Sequence, residues 1–64
     1  MKAIVFEGTD KKGRKTNNIL NVDAIEYVEL TEDDIRVHMS SGNVSIFFGR
    51  KDTLFELIKQ EAQQ

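Results

Sequence analysis

Cysteine is absent from this 64-residue sequence, and histidine occurs once. The absence of cysteine excludes disulfide bonds and thiolate metal sites, and one histidine cannot make a histidine-rich metal site. A chain of this length forms one domain, and such a domain buries only about 60% of the surface of its unfolded chain. The sequence therefore predicts a single domain over residues 1–64 with no metal or cofactor. Its stability must come from regular local structure or from self-association.

The chain also lacks a basic excess and a long apolar segment. Its formal net charge is −2, whereas nucleic-acid-binding domains usually carry a basic excess. The apolar run near the N-terminus, residues 3–6, has only four residues. That is too short for the core of a signal peptide or for a membrane span. We therefore expect a cytoplasmic protein that does not contact membranes and does not bind nucleic acid broadly.

The first third of the sequence predicts two strands and two turns. Residues 2–7 are rich in β-forming side chains, and the two glycines in Gly8–Gly13 indicate a turn. A second, short strand is predicted over residues 14–20. The next four residues, Asn21–Ala24, then form a tight bend before the third strand.

Alternating aliphatic residues predict two further hairpins over residues 25–48. A four-residue loop, Thr31–Asp34, places Val28 opposite Val37, Glu29 opposite Arg36 and Tyr27 opposite His38. A two-residue loop at Ser41 and Gly42 places Val37 opposite Ile46. Both loops put the same aliphatic set on one face, and a slip of one residue would scatter that set over both faces. The set comprises Val28, Leu30, Ile35, Val37, Met39, Val44, Ile46 and Phe48.

After Gly49 the apolar period changes from 2 to 3.6 residues, which predicts a C-terminal helix. Thr53 and Glu56 have the spacing of a capping box, with Thr53 as the N-cap. A helix of about three turns is barely stable alone, so its apolar side must pack on the sheet. The predicted fold is α+β: an antiparallel meander of four to five strands with one amphipathic helix on one face. The residues added to the core are Leu54, Leu57, Ile58, Ile4, Phe6 and Ile19.

The other face of the predicted sheet mixes aromatic and charged residues. Aromatic side chains with arginine are typical anchors of protein interfaces. Arg36 is expected to pair with Glu29 and to lie over the Phe47 ring. The candidate interface residues are Tyr27, Glu29, Arg36, His38 and Phe47. The alternative interpretation is an ordinary solvated sheet face with scattered aromatics.

Two polar groups bear on other functions. His38 and Ser45 are predicted neighbours, but no strained elbow or positioned third group accompanies them, so we do not expect an enzyme. The only basic cluster consists of Lys11, Lys12, Arg14 and Lys15, beside the glycine turn. It is interpreted either as a phosphate-contacting loop or as a loop kept soluble by its charge.

One segment resembles a known family. The run Leu20–Glu26, together with Glu29, Thr31, Asp33, Gly42 and the closing helix, is similar to the small flagellar FlbD/SwrD family over residues 19–60. The resemblance implies a role connected with motility. No functional residue of that family is assigned to this sequence. The first hairpin here is longer and more basic, and Gly42 precedes Asn43 where that family usually has Asn before Gly.

Residues 22–29 and 35–42 also look like the middle of a LytTR-type DNA-binding domain. Base-contacting segments of that family lie partly beyond the helix, so DNA binding is not expected here. The sequence favours a non-catalytic interaction or regulatory module that forms a homo-oligomer through the mixed face or a strand edge. The alternative is a nucleic-acid-contacting accessory protein that uses the basic cluster.

Overall fold

The computed structural model describes residues 2–63 and has the predicted α+β architecture. Five strands are followed by one C-terminal helix, and a short 3₁₀ turn joins the second and third strands. The elements are β1 (Ala3–Thr9), β2 (Lys15–Asn21), the 3₁₀ turn (Val22–Ala24), β3 (Ile25–Leu30), β4 (Ile35–Met39), β5 (Val44–Phe47) and α1 (Lys51–Ala62). Within residues 2–63, no helix is long and apolar enough to cross a bilayer.

The strands form two antiparallel sheets rather than one. β1 pairs with β2, and β3, β4 and β5 pair in chain order. The sheets meet at the ends of β1 and β5, where the N–H of Phe48 donates to the carbonyl of Thr9 at 3.1 Å. The N–H of Gly49 donates to the Thr9 hydroxyl at 2.6 Å. These two bonds fix where the chain leaves β5 and turns into the helix.

The core lies between the sheets and α1, and every strand except β3 contributes at least one buried side chain to it. The Phe6 and Phe47 rings meet edge to face, with centroids 5.7 Å apart. Leu54 is fully buried, so α1 packs on the sheets through its apolar side as predicted. The buried hydrophobic residues are Ile4, Phe6, Leu20, Ile35, Val37, Phe47, Leu54 and Ile58.

The β3–β4 hairpin has the predicted register. Tyr27 faces His38, Val28 faces Val37 and Glu29 faces Arg36. A bulge between Ile25 and Tyr27 inserts one extra residue at the start of β3. Because of this bulge, Ile25 packs against the core rather than sharing the outward face with Tyr27.

The predicted β4–β5 register is wrong by one residue. Val37 faces Ser45 and Arg36 faces Ile46, because the loop contains three residues, Ser40–Gly42, rather than two. Gly42 has φ of +95°, which suits the left-handed position after a type I turn. Phe47 is therefore buried, and Val44 and Ile46 point away from the core.

Two further expectations are corrected. Leu20, not Ile19, is buried from β2, and the Ile19 side chain is 74% exposed. The helix begins at Lys51, two residues before the predicted N-cap Thr53. Its N-cap is Arg50, in the left-handed conformation and without a side-chain cap bond, so no capping box forms.

Candidate interaction surface

The outward side of the β3–β4–β5 sheet is the surface that best matches the predicted mixed face. Side chains alternate between the two faces of a strand, and the three-residue Ser40–Gly42 loop decides which β5 residues point outward. We call this surface the outer face. It comprises Tyr27, Glu29, Arg36, His38, Val44 and Ile46. Four of the five predicted interface residues lie on it.

The fifth predicted interface residue, Phe47, belongs to the core. It is only 6% exposed and packs against Phe6. The expected contact between Arg36 and the Phe47 ring therefore does not form. A different arginine takes a comparable position, because the Arg50 guanidinium carbon lies 5.5 Å from the centroid of the Phe6 ring.

Three side chains form a connected group at the β3–β4 part of the outer face. The Tyr27 and His38 rings are stacked, with centroids 4.0 Å apart and planes 8° from parallel. His38 Nε2 lies 2.6 Å from Glu29 Oε1. The stacking and the contact with Glu29 restrict the two rings before any partner binds. A pre-organised anchor loses less conformational entropy on binding.

The β5 part of the outer face is aliphatic. Val44 is 46% exposed and faces His38, and Ile46 is 44% exposed and faces Arg36. Tyr27 on β3 is 50% exposed. Together with the β5 pair it places apolar surface on both sides of the polar side chains that β4 directs outward. The sequence pattern predicts this aliphatic pair in the core, which is wrong. The signal that could have placed it correctly is Gly42 at the third loop position, the position that Gly13 occupies in the β1–β2 turn.

Arg36 faces Glu29 across the strands, yet its side chain bonds elsewhere. Its Nε lies 3.2 Å from Asp34 Oδ1, within the β3–β4 turn. The pKa of Asp34 is lowered, chiefly because the Thr31 hydroxyl donates to the carboxylate at 2.7 Å. Burial opposes this effect, and the Arg36 guanidinium adds to it. Asp34 therefore stabilises the turn that sets the β3–β4 register.

The basic cluster lies at the β1–β2 turn, away from β3, β4 and β5 in the chain. Arg14 donates from Nε to Asp10 Oδ2 at 2.8 Å. Asp10 also accepts from the backbone N–H of Arg14 and of Lys12, both at 2.9 Å. The bond from the Arg14 N–H is the largest cause of a lowered pKa at Asp10. Lys11, Lys12 and Lys15 are exposed, so three ammonium groups of the cluster face solvent.

The remaining candidate sites are the His38–Ser45 pair, metal-binding groups and a depression along α1. Ser45 lies opposite Val37, so it shares the face of Val37, and the predicted His38–Ser45 neighbours point to opposite sides of the sheet. Within residues 2–63, no group of three or more His, Cys, Asp or Glu side chains could hold a metal ion. A shallow open depression of about 390 Å³ lies along α1 and is lined by Asp52, Thr53, Glu56, Leu57 and Gln60.

Comparison of the chain with protein-family models, with curated proteins and with solved structures found no match. The resemblances to the FlbD/SwrD and LytTR-type families therefore stay predictions from the sequence. The function has to be argued from the surfaces of the molecule itself.

Proposed function

We propose that this protein is a non-catalytic, cytoplasmic interaction module that self-associates through its outer face. The observation that carries the proposal is the combination of half-exposed Tyr27, Val44 and Ile46 with the connected Tyr27–His38–Glu29 group. Apolar surface around a rigid aromatic is the composition of an interface core. The buried core of the described chain contains only eight hydrophobic side chains. Tyr27, Val44 and Ile46 are apolar side chains that do not add to this small core, which favours a role for them in contact.

A second copy of the chain is the partner that this surface fits best. The outer face carries one carboxylate, Glu29, and one guanidinium, Arg36, so it has no excess of either charge. Two such faces do not repel each other, whereas a strongly charged partner would gain little from them. Three strands of four to six residues offer less than the roughly 800 Å² per partner of a standard interface. The association is therefore weak and depends on protein concentration.

Sedimentation equilibrium over a concentration series tests this proposal. Ile46→Asp places a charge in the aliphatic part of the face, and Tyr27→Ala removes the aromatic anchor. Each change should raise the dissociation constant by about tenfold or more. Gln60→Ala, on the exposed side of α1, is the matched control and should leave the constant unchanged.

Urea unfolding of the same variants separates association from folding. Both outer-face residues are about half exposed, so we expect small changes in stability. A strict monomer at the highest attainable concentration would rule out the proposal. So would outer-face variants that associate as tightly as the Gln60→Ala control.

The alternative function, phosphate contact by the basic cluster, is supported by the exposure of Lys11, Lys12 and Lys15. It predicts binding of a single-stranded oligonucleotide that weakens steeply with salt, because each phosphate contact releases counterions. Replacing the three lysines with glutamine should abolish that binding, while Ile46→Asp should leave it intact. Salt-dependent binding lost in the lysine variant alone would favour this function.

A further inference from the structure

Within residues 2–63, one edge of β2 has no strand partner, because β1 is its only neighbour there. The N–H of Val22 donates to the carbonyl of Lys2, and the N–H of Asp10 donates to the carbonyl of Arg14, both at 2.9 Å. Hydrogen-bonded and non-bonded pairs alternate along an antiparallel ladder. The residues of β2 that lie at odd positions therefore direct their N–H and C=O groups away from β1. Those with exposed side chains are Lys15, Asn17 and Ile19.

This edge is less protected than the outer edges of β3 and β5. β2 has seven residues and pairs with β1 without a bulge. β3 carries a bulge and two glutamates, and β5 has only four residues. Natural proteins protect exposed edges with bulges, short strands, proline or charge. On β2 the only such feature is the charge of Lys15.

The most exposed large aliphatic side chains also lie on this hairpin. Val5 and Ile19 face each other across β1 and β2 and are 78% and 74% exposed. A monomer gains nothing from placing both in water. Ile19 lies on the unpartnered edge strand, so any strand added to this edge would meet it directly.

We propose that two copies of the chain pair antiparallel through β2, centred on Ile19, to form one continuous four-stranded sheet. In this register the two Ile19 residues face each other at the twofold axis. Val5, Ile19 and their symmetry mates then form one aliphatic row across the four strands. Asn17 faces Asn21 of the second copy, so both pairs use the free backbone groups of the edge.

Charge complementarity supports the antiparallel register. Lys15 at the start of one β2 strand comes to lie near the 3₁₀ turn of the second copy, which follows β2 and carries the exposed Asp23. The Asp23 carboxylate also accepts from the backbone N–H of Lys2 at 3.3 Å. The Lys15 side chain is exposed as well, and no like charges face each other along the strand. This contact is separate from the outer face, which lies on the other sheet, so it goes beyond the proposed function.

Cysteine cross-linking tests this register, because the natural sequence contains no cysteine. Facing residues of a hydrogen-bonded pair have Cα atoms about 5.5 Å apart, within disulfide reach. Ile19→Cys should therefore form disulfide dimers at least about tenfold faster than exposed cysteines elsewhere, because the paired strands raise the local thiol concentration. Urea should abolish the difference.

Two controls are matched in exposure. Val5→Cys lies three strand spacings, about 14 Å, from its symmetry mate, and Asn17→Cys lies four residues, also about 14 Å, from its own. Neither pair can form a disulfide in the proposed dimer. Equal oxidation rates at the three positions would overturn the proposal, and so would a faster rate at residue 5 or 17.

A backbone variant tests whether the Ile19→Cys rate depends on hydrogen bonding along the β2 edge. Asn17→Pro removes an N–H that β1 does not use and should lower the Ile19→Cys rate to the control level. Ile46→Asp in the Ile19→Cys chain should leave the rate unchanged. A rate lost through Ile46→Asp alone would contradict edge pairing and support the outer face. A rate lost through Asn17→Pro alone supports the edge, whatever the fate of the outer face.

Discussion

Gly8 occupies a position in β1 where a side chain has no room. A Cβ there would lie 2.7 Å from Phe6 Cε2 and 3.2 Å from Phe47 Cδ1. These two rings make the edge-to-face contact that joins the sheets. The sequence marked Gly8 as a turn residue, but β1 runs to Thr9 and the glycine lies inside the strand. Its role in packing depends on Phe47, thirty-nine residues later in the chain.

Gly8→Ala should lower the free energy of unfolding by about 1 to 3 kcal/mol, because the methyl group overpacks the ring pair. Urea denaturation measures this change. The control is Gly8→Ala in a Phe6→Leu chain, where the smaller side chain leaves room for the methyl group. The cost of alanine should be smaller there, and an equal cost in both chains would show that ring crowding is not the cause.

Asp34 makes the free energy of unfolding depend on pH in the acidic range. Its pKa is held below the ordinary value of 3.8, first by the Thr31 hydroxyl and then by the Arg36 guanidinium, against the opposing effect of burial. A carboxyl group whose pKa is lower in the folded state stabilises the fold fully above its unfolded pKa. That contribution is lost as the pH falls through the folded pKa. Asp10 acts in the same direction, mainly through the N–H of Arg14.

We therefore expect the free energy of unfolding to decrease as the pH falls below 3.8. Asp34→Asn should remove part of this dependence, leaving the part due to Asp10. Guanidinium unfolding at a series of acidic pH values measures the slope. The neighbouring exposed Asp33→Asn is the control. If Asp33→Asn flattened the profile and Asp34→Asn did not, the assignment would be wrong.

At the scale of elements, the β3–β4 register from Tyr27 to Leu30 could be predicted, whereas the bulge before Tyr27 and the β4–β5 register could not. The predicted and the observed register of β5 both alternate inward and outward side chains. The predicted register buries more aliphatic residues. The structure instead buries Phe47, whose ring meets Phe6 on β1. That contact joins distant parts of the chain, so the local pattern did not contain it.

The β1–β2 turn contains a local clue to the correct loop. The N–H of Asp10 donates to Arg14, and the N–H of Met39 donates to Asn43, each across three loop residues. Gly13 and Gly42 end these loops with φ of +80° and +95°. Two glycines at the same position of two turns indicate the same three-residue loop. This repeated geometry also puts Val44 and Ile46 on the outer face.

Gly42→Ala should lower the free energy of unfolding by about 1 to 2 kcal/mol, because a Cβ disfavours the left-handed conformation. A Cβ at this position meets no atom within 4 Å, so crowding contributes nothing. Gly42→Asn should cost less, since asparagine tolerates this conformation better. Thermal unfolding followed by circular dichroism compares the two, and an asparagine variant less stable than the alanine variant would contradict the backbone explanation.

The predicted start of α1 is wrong for a comparable reason. Thr53 and Glu56 have the spacing of a capping box, but the chain turns earlier. Gly49 and Phe48 donate hydrogen bonds to Thr9, forty residues away in the case of Gly49. Arg50 then takes the left-handed conformation, and the helix begins at the next residue. The apolar side of the helix was predictable from its period because only the phase of the pattern matters for packing.

At the scale of the whole molecule, residues 2–63 have one core, and two surfaces carry most of the exposed large apolar side chains. The outer face lies on β3, β4 and β5, and the Val5–Ile19 pair lies on β1 and β2. The sequence located the residues of the first surface except for the β5 pair. It did not locate the second, because Ile19 was assigned to the core. A domain this small has little apolar surface to spare, which favours contact as the role of both surfaces.

The most direct test of the central claim, self-association through the outer face, is a dilution series followed by ¹H–¹⁵N correlation spectra. We predict amide shifts that change with protein concentration at Tyr27, Arg36, His38, Val44 and Ile46, while those on the exposed side of α1 stay constant. Spectra that do not change with concentration would contradict the claim. So would shifts confined to α1 and the basic cluster.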